Sequence, residues 1–278
     1  MALKTLVINP GGTSTKIALF QDGEAVFKKT IDHSAEDLSS YKRIFDQREF
    51  RTGVILKTLK DERITLEELD AVVGRGGIVK PIVGGVYNVN KALVEDMRSA
   101  DYGEHASNLG AVIAKDIADR TGIPSYIMDP VSVDEIEPVA RISGMKELPR
   151  VALQHTLNSR AVARKVAEEM GKGYEDMRLI VAHLGAGISI TPHINGRIVD
   201  CNNPLESGPF CPDRAGSLPA KSFAKLCYSG KYTTAEDMIA KINREAGLYD
   251  HLGTKDLREA EKMAAEGNEY ASLVLKAM

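Results

Sequence analysis

The amino-acid sequence predicts an α/β protein of two halves, each of which opens with a three-stranded β-meander. Three observations predict this class: a glycine-turned hairpin at the N-terminus, a second hairpin of the same plan at residues 179–200, and helical patterns after each. A single hairpin of this kind is common, because tight turns need the positive φ that glycine reaches easily. Two hairpins of one plan indicate an internal duplication.

The first meander is predicted to contain the strands Leu6–Asn9, Lys16–Phe20 and Ala25–Thr30. The loop PGGTST joins the first two strands, and the turn QDGE joins the next two. A P-loop or a dinucleotide-binding fingerprint has to open a helix whose amides hold the phosphate. No helix follows this loop, so the sequence excludes both motifs.

Beyond the first meander, the patterns predict helices at 88–100 and 104–121, a strand at Ser125–Met128 and a helix at 151–170. The second meander reads LIVAHL, ISITPHI and RIVD. A Gly/Pro-rich stretch at 202–219 then precedes helices predicted at 219–229, 233–246, 255–266 and from 268 onward. Glu147-Leu148-Pro149 is the predicted boundary, which gives domains 1–149 and 150–278.

Composition excludes several classes of function. A net charge of −3 and a pI near 6.1 provide no basic surface, so we expect no nucleic-acid partner. The N-terminal apolar run is too short for a signal peptide or a membrane span, so we expect a cytoplasmic protein without a membrane partner. Cys201, Cys211 and Cys227 lack metal-ligand spacing and are expected to be reduced thiols.

Two glycine-rich motifs resemble those of the acetate and butyrate kinase family. Residues 9–16, NPGGTSTK, are similar to N-x-G-S-[ST]-[ST]-x-K, with Gly12 in place of the usual serine. Residues 181–189, VAHLGAGIS, are similar to the second motif, H-[LIVM]-G-x-G-x-[ST]. The duplicated meanders also resemble the actin, sugar kinase and Hsp70 superfamily. This resemblance covers essentially the whole chain and implies two ribonuclease H-like (actin-like ATPase) domains with an interdomain cleft for the nucleotide.

The resemblance implies that a glycine hairpin from each half contacts the nucleotide phosphates. Backbone N–H groups of a glycine turn form an anion-binding concavity, and nearby hydroxyl groups add donors. The implied cofactors are ATP or ADP with Mg²⁺, which arrives with the nucleotide. The candidate phosphate-binding residues are Asn9, Gly11, Gly12, Thr13, Ser14, Lys16, Gly185 and Gly187.

Two arginines are candidate catalytic residues. Arg75, in AVVGRGGIVKPIVGG, resembles the substrate-side arginine of the family, and Arg214, in GPFCPDRAGSLP, resembles the arginine loop of butyrate kinases. Most arginines are solvated surface charges, but these two lie in glycine-rich turns with few basic neighbours. Phosphoryl transfer spreads negative charge over the equatorial oxygens, and a planar guanidinium neutralises and orients such groups.

Three further residues are candidates, each with a simpler alternative. His183 ends a strand before the GAG turn, where it is predicted to donate a hydrogen bond to the phosphoryl group; the alternative is a core histidine. Asp129 follows a strand and by resemblance orients Mg²⁺ or the substrate arginine, with Asn9 as a second metal candidate; the alternative is a turn-starting Asp. His105 resembles a histidine lining the substrate site, and the alternative is a helix cap or a surface residue.

One departure from acetate kinases favours the butyrate branch. Acetate kinases contain H-G-T-S-H-R where this chain reads His155-Thr-Leu-Asn-Ser159-Arg160. Ser159 stands at the second histidine position, so the role of that histidine is not assigned to this chain. His155 and Arg160 are retained.

The functional hypothesis is the reversible, ATP-dependent phosphorylation of a short-chain carboxylate, butyrate or a branched analogue, to an acyl phosphate. The alternatives are an acetate or propionate kinase and a non-catalytic nucleotide-binding fragment of this superfamily. The resemblance implies a further segment after Met278, with an adenine-binding turn and an acidic magnesium ligand, so the second domain is expected to be incomplete. We also expect a homodimer or higher homo-oligomer.

Overall fold

The computed structural model describes residues 2–278, which form two compact units that divide between Asp134 and Glu135. The boundary predicted after residue 149 falls inside the second of these units. The segment before that boundary is attached to the second unit, because the Glu137 N–H donates to the Val199 carbonyl at 3.0 Å.

The first unit is built on a mixed six-stranded sheet. Its strands are β1 (Lys4–Pro10), β2 (Ser14–Gln21), β3 (Glu24–Asp32), β4 (Ala71–Arg75), β5 (Val86–Asn88) and β6 (Ser125–Met128). Their order is β3-β2-β1-β4-β6-β5, with β1–β3 forming the antiparallel meander and β1, β4 and β6 running parallel. The predicted first meander and the strand at 125–128 are confirmed.

The helices of the first unit cover this sheet. They are α1 (Ala35–Ser39), α2 (Arg48–Asp61), α3 (Lys91–Ser99) and α4 (Asn108–Ala118), with 3₁₀ turns at Phe45–Gln47 and Leu66–Glu68. Helix α4 is buried and lies so close to β4 that a Cβ on Gly74 would overlap the Gly110 carbonyl. The sequence predicted α3 and α4 but missed α1 and α2, of which α2 contributes Ile55 and Leu59 to the core.

The second unit contains the predicted second meander. It consists of β7 (Arg178–Leu184), β8 (Ile188–Ile194) and β9 (Arg197–Ile198) in one antiparallel sheet. Asn195 and Gly196 join β8 to β9 with φ of 51° and 72°. Positive φ at both central residues is the geometry that Asn-Gly hairpin turns favour. The duplication of glycine-turned meanders is therefore confirmed.

Among the described residues, the second unit also contains six helices. They are α5 (Thr156–Glu169), α6 (Ala220–Cys227), α7 (Ala235–Arg244), α8 (Gly247–Leu252), α9 (Leu257–Ala265) and α10 (Glu269–Ala277), with 3₁₀ turns at Pro138–Arg141 and Tyr174–Asp176. Helix α5 begins five residues later than predicted. Residues 151–155 are not helical, and the Arg150 N–H just before them donates to the Arg141 carbonyl. Helix α8 was not predicted. Within residues 2–278, no helix is long and apolar enough to cross a bilayer.

His193 on β8 is a fully buried, neutral histidine of the second unit. The Thr191 hydroxyl donates to the Val181 carbonyl at 3.2 Å, so it accepts from His193 Nε2 at 2.9 Å. The other ring nitrogen, Nδ1, then accepts the Tyr174 hydroxyl proton at 2.6 Å. Burial, aided by the charge of Arg160, lowers the pKa of His193 from 6.5 to about 4.

We expect His193 to make the second unit less stable in acid. The unfolded chain binds a proton at this ring near pH 6.5 and the folded chain only near pH 4, so stability falls as the pH drops through that window. The loss amounts to about 3 kcal/mol. Urea unfolding from pH 7 to pH 4 tests this, because the stability difference between the parent and His193→Gln should shrink on acidification. A difference that stays constant with pH would contradict it.

Candidate active site

The candidate residues of the first unit come from the carboxyl ends of adjacent parallel strands. Asn9 and Arg75 lie at the ends of β1 and β4, and Asp129 follows β6 directly. The Arg75 Nη1 donates to Asn9 Oδ1 at 3.3 Å. Ligands of α/β proteins commonly bind at this edge of a parallel sheet. The sheet thus gathers three of the predicted residues along one edge.

Asp129 is held in an unusual backbone conformation. It is buried and has a φ of 41°, a left-handed value that costs a non-glycine residue about 1–3 kcal/mol. Its Oδ1 accepts the Gly85 N–H at 2.9 Å, and its own N–H donates to the Gly85 carbonyl at 2.9 Å. These bonds reach across 44 residues, so they differ from the local side-chain bond of a turn-starting Asp.

The first glycine loop connects β1 to β2 in a tight turn. The Gly11 N–H donates to the Ser14 carbonyl at 2.7 Å, and Gly12 and Thr13 are exposed at the tip. A Cβ on Gly12 would meet nothing within 4 Å, so the serine usual in the family would fit here. Lys16 is exposed on β2, directly opposite Asn9 in the strand pairing.

His105 contacts Ser107, the N-cap residue of α4, and is not itself the N-cap. It is exposed just before α4, and its Nδ1 accepts the Ser107 N–H at 3.1 Å. The same nitrogen lies 2.8 Å from the Ser107 hydroxyl. The surface alternative raised by the sequence therefore has a structural basis, while the substrate-side role stays a prediction.

In the second unit, the GAG turn between β7 and β8 gathers two histidines and an arginine. The rings of His155 and His183 stack with their centroids 3.9 Å apart and their planes inclined by 8°. A Cβ built on Gly187 would overlap Nη1 of Arg214 and would lie 3.2 Å from Cε1 of His155. A Cβ on Gly185 would lie 3.1 Å from Nε2 of His183. Glycine at 187 therefore lets the arginine pack directly against the turn.

The two stacked rings are oriented by different partners. His183 Nδ1 lies 3.0 Å from Asn158 Oδ1, and His155 Nδ1 lies 2.8 Å from the Ser189 hydroxyl. Because an amide oxygen only accepts, Nδ1 of His183 carries the proton of that bond.

The arginine loop is tied to the GAG turn through Cys211. Its thiol donates to the Ala186 carbonyl at 3.0 Å, and its N–H donates to the Arg214 carbonyl at 3.1 Å. Burial raises the pKa of the Cys211 thiol, which keeps the S–H donor in place. Gly247, the first residue of α8, has a φ of 60°, and a Cβ there would overlap the Cys211 carbonyl. Helix α8 therefore supports the loop that carries Arg214.

Arg75 and Arg214 are both without an ion-pair partner among residues 2–278. Both are half-buried, and burial lowers the pKa of the Arg75 guanidinium, although an arginine remains charged in proteins. A half-buried cation without a carboxylate partner beside a glycine turn is suited to bind an anion.

Comparison with known sequences identifies the family of this chain. It is 47% identical over 279 residues to butyrate kinase 2 of Clostridium acetobutylicum, covering 100% of this chain and 78% of that protein. It is also 47% identical over 275 residues to butyrate kinase 1 of the same organism, covering 99% and 77%. The model of the acetokinase family matches residues 152–278. The chain belongs to the acetokinase family.

Solved structures agree with this acetokinase assignment at the level of the fold. The acetate kinase of Porphyromonas gingivalis superposes with a TM-score of 0.78 at 21% identity, covering 99% of this chain and 76% of that chain. The propionate kinase of Francisella tularensis superposes with a TM-score of 0.73 at 18% identity, covering 99% and 77%. The predicted fold class is confirmed.

Membership of the acetokinase family establishes the class of reaction. The protein is a kinase that transfers a phosphoryl group between ATP and a carboxylate, and acetokinases use a divalent metal ion with the nucleotide. The hypothesis of a carboxylate kinase is therefore confirmed.

Sequence reasoning missed two residues at these sites. His155 was set aside because Ser159 replaces the second histidine of its stretch, yet the structure stacks its ring on His183. The Ser159 hydroxyl donates to the His155 carbonyl at 3.0 Å and so supports this position. The sequence signal that could have identified His155 was that it retains the first histidine of this stretch. Arg51, on the unpredicted helix α2, lies buried beneath the first glycine loop.

Proposed function

We propose that this acetokinase phosphorylates butyrate or a branched analogue of it, reversibly, to the corresponding acyl phosphate. The observation that carries the proposal is 47% identity to two butyrate kinases along essentially the whole chain. Acetate and propionate kinases of known structure share 21% and 18% identity with it. They support the same fold, and the sequence relationship favours the butyrate branch over them.

In the proposed reaction, a carboxylate oxygen of the acid attacks the γ-phosphorus of ATP. The new O–P bond forms as the bond from that phosphorus to the β,γ-bridging oxygen breaks, and ADP leaves with the electron pair. No general base is required, because a carboxylic acid is already ionised at neutral pH. This fits the candidate residues, which are arginines, histidines and the amides of glycine turns.

The unpaired arginines provide the positive charge that this reaction needs. We assign Arg75 and Arg214 to the developing charge on the three equatorial oxygens of the transferring group. His183 and His155, which lie beside the GAG turn, are assigned as hydrogen-bond donors to the transferring phosphoryl group. His105 is retained as a candidate on the substrate side.

The residues present fit a nucleotide with its metal ion. The amide groups of Gly12 and Thr13 and the hydroxyl groups of Thr13 and Ser14 are suited to phosphate oxygens. Mg²⁺ at nucleotide sites is typically held by one or two protein oxygens together with phosphate oxygens and water. We propose Mg²⁺, held by Asp129 and Asn9, because their oxygens are hard ligands. It would neutralise charge on the phosphates.

We further propose a homodimer or higher homo-oligomer acting in the cytoplasm. Apolar side chains such as Ile180 and Leu184 on β7 are 76% and 75% exposed, which is typical of surfaces that associate. The three cysteines are free thiols, as expected in a reducing compartment. Light scattering coupled to size-exclusion chromatography tests the oligomeric state.

We expect kcat/KM to be at least about tenfold higher for butyrate or isobutyrate than for acetate, because one methylene in an apolar pocket contributes about 1–3 kcal/mol of discrimination. The candidate pocket wall is the segment 78–87, in which Ile78 and Ile82 are half-buried. A hydroxamate assay across straight and branched acids measures the preference. A higher kcat/KM for acetate would move the protein to the acetate branch.

A further inference from the structure

Arg51 is the largest fully buried side chain among residues 2–278 and lies directly beneath the first glycine loop. It belongs to α2 and is 1% exposed. Its Nη1 donates to the carbonyls of Gly11 at 2.8 Å and Ser14 at 3.2 Å, and its Nη2 donates to the carbonyl of Gly12 at 2.8 Å. One side chain thus binds three of the four carbonyls of residues 11–14.

The remaining donors of Arg51 are also used. Its Nε and Nη2 donate to Gln47 Oε1 at 3.0 and 2.8 Å, and Nη1 also lies 3.2 Å from Thr15 Oγ1. A guanidinium has five N–H groups in a fixed planar fork. All five N–H groups have acceptors here. The guanidinium is therefore held in one position, and its hydrogen bonds fix the conformation of the loop.

The bonds to Arg51 determine where the loop amides point. In a trans peptide, the carbonyl of one residue and the N–H of the next point in opposite directions. Because the carbonyls of Gly11 and Gly12 point in towards Arg51, the N–H groups of Gly12 and Thr13 point away from it. Both residues are exposed, and neither N–H has a partner among residues 2–278. The loop therefore presents two unpaired amides on its outer side.

The charge of Arg51 is not balanced by any carboxylate. Every group that it contacts is neutral, and no ion pair involves it among the residues described. Burial lowers the pKa of Arg51, but a guanidinium remains charged in proteins. Burying a charge without an opposite charge is costly, and carbonyl dipoles offset only part of that cost. An anion on the outer side of the loop would supply the missing charge.

The neighbouring His33 is arranged so that it adds no second positive charge. Thr15 Oγ1 accepts from Arg51 and also lies 2.8 Å from His33 Nε2. Burial lowers the pKa of His33, and the charge of Arg51 lowers it further. The buried network therefore contains one fixed positive charge, which lies immediately behind the two exposed amides.

We propose that Arg51 is a positioning residue for phosphate binding: it holds the amides of Gly12 and Thr13 outward and gives the loop a fixed positive charge whose partner is a phosphoryl group. The ligand class is a di- or triphosphate, such as a nucleotide or inorganic pyrophosphate. This inference rests on the phosphate-binding role proposed above for the loop.

The test compares Arg51→Lys and Arg51→Met with the parent, using Arg48→Lys on the same helix as the matched control. Arg48 is partly exposed and pairs with Asp116. Lysine retains the charge without the planar fork, whereas methionine removes both. Pyrophosphate and ADP dissociation constants are measured by calorimetry at low and moderate salt, together with circular dichroism melts.

We expect Arg51→Lys to weaken pyrophosphate binding by about 10- to 100-fold, the range for losing hydrogen bonds to a charged group. Arg51→Met should weaken it further and reduce its salt dependence, while Arg48→Lys binds as the parent does. In turnover, Arg51→Lys should raise KM for ATP and leave KM for the acid unchanged. A purely structural role would not produce this separation.

Two results overturn the inference at different levels. If the parent binds pyrophosphate and both Arg51 variants bind it within twofold, the positioning role is wrong while the phosphate site stands. If the parent binds no pyrophosphate, the proposed role of the loop is itself wrong. If the variants do not fold, NMR of the parent tests the proposal instead. Pyrophosphate should shift the Arg51 Nε signal together with the amide signals of Gly12 and Thr13. An Arg51 signal that does not move refutes the proposal.

Discussion

Replacing Arg75 or Arg214 with alanine is expected to lower kcat by about 10³- to 10⁵-fold, the range for arginines that stabilise the charge of a transferring phosphoryl group. Neither arginine has an ion-pair partner among the residues described, so their charges are available to the substrates. Folding should change little, because Arg75 makes a single side-chain bond, to Asn9, and that bond is long. A coupled assay of acyl phosphate formation measures the effect.

The matched control for these variants is Arg258→Ala. Arg258 is an exposed arginine of α9 that pairs with Asp256 in the same segment, and it should retain parental kcat. A melting curve that matches the parent, combined with a loss of kcat smaller than tenfold, would show that Arg75 or Arg214 does not stabilise the transition state.

Replacing His155 with alanine is expected to lower kcat by about 10²- to 10³-fold, as for the loss of one preorganised hydrogen-bond donor to a developing charge. The expectation comes from the stacked rings, because removing His155 takes away the stacking partner of His183 and leaves the contact of that ring with Asn158 in place. The double variant His155→Ala/His183→Ala should therefore lose less activity than the product of the two single losses. Steady-state kinetics on the four proteins measures this coupling.

Leu157→Ala is the control for the His155 variant, since it alters a partly exposed apolar side chain in the first turn of the same helix. If His155→Ala retained the parental kcat, the proposed role of His155 in the reaction would be wrong. Additive losses in the double variant would instead show that the two rings act separately, even though they are in contact.

The glycine motifs were predictable because tight turns constrain residue identity locally. Gly185 and Gly187 lie where the family motif places them, and the strands on either side alternate as a hairpin requires. Arg75 and Arg214 were proposed from their resemblance to arginines of the family and from the glycine-rich turns around them, and their roles stay predictions. Asp129 was proposed because it follows a recognisable strand, and its strained φ became evident only in the structure.

The missed elements have weaker local patterns. Helix α2 contains Gly53 and several β-branched residues, and its apolar residues do not form a clear helical stripe. Helix α8 has six residues and starts at a glycine with positive φ, where a sequence pattern normally predicts a turn. Both are stabilised by packing against distant segments, and such packing overrides local propensity.

By itself, the amino-acid sequence determined the α/β class, the duplicated meanders and the family, because each depends on residue types within short segments. It also proposed Arg75 and Arg214, whose roles stay predictions. Only the tertiary structure decided that Arg51 lies beneath the glycine loop and that His155 stacks on His183. Arg51 is 36 to 40 residues from its partners in the loop, and His155 is 34 residues from Ser189. Burial, hydrogen-bond partners and unbalanced charge arise from such long-range contacts, which local sequence patterns do not encode.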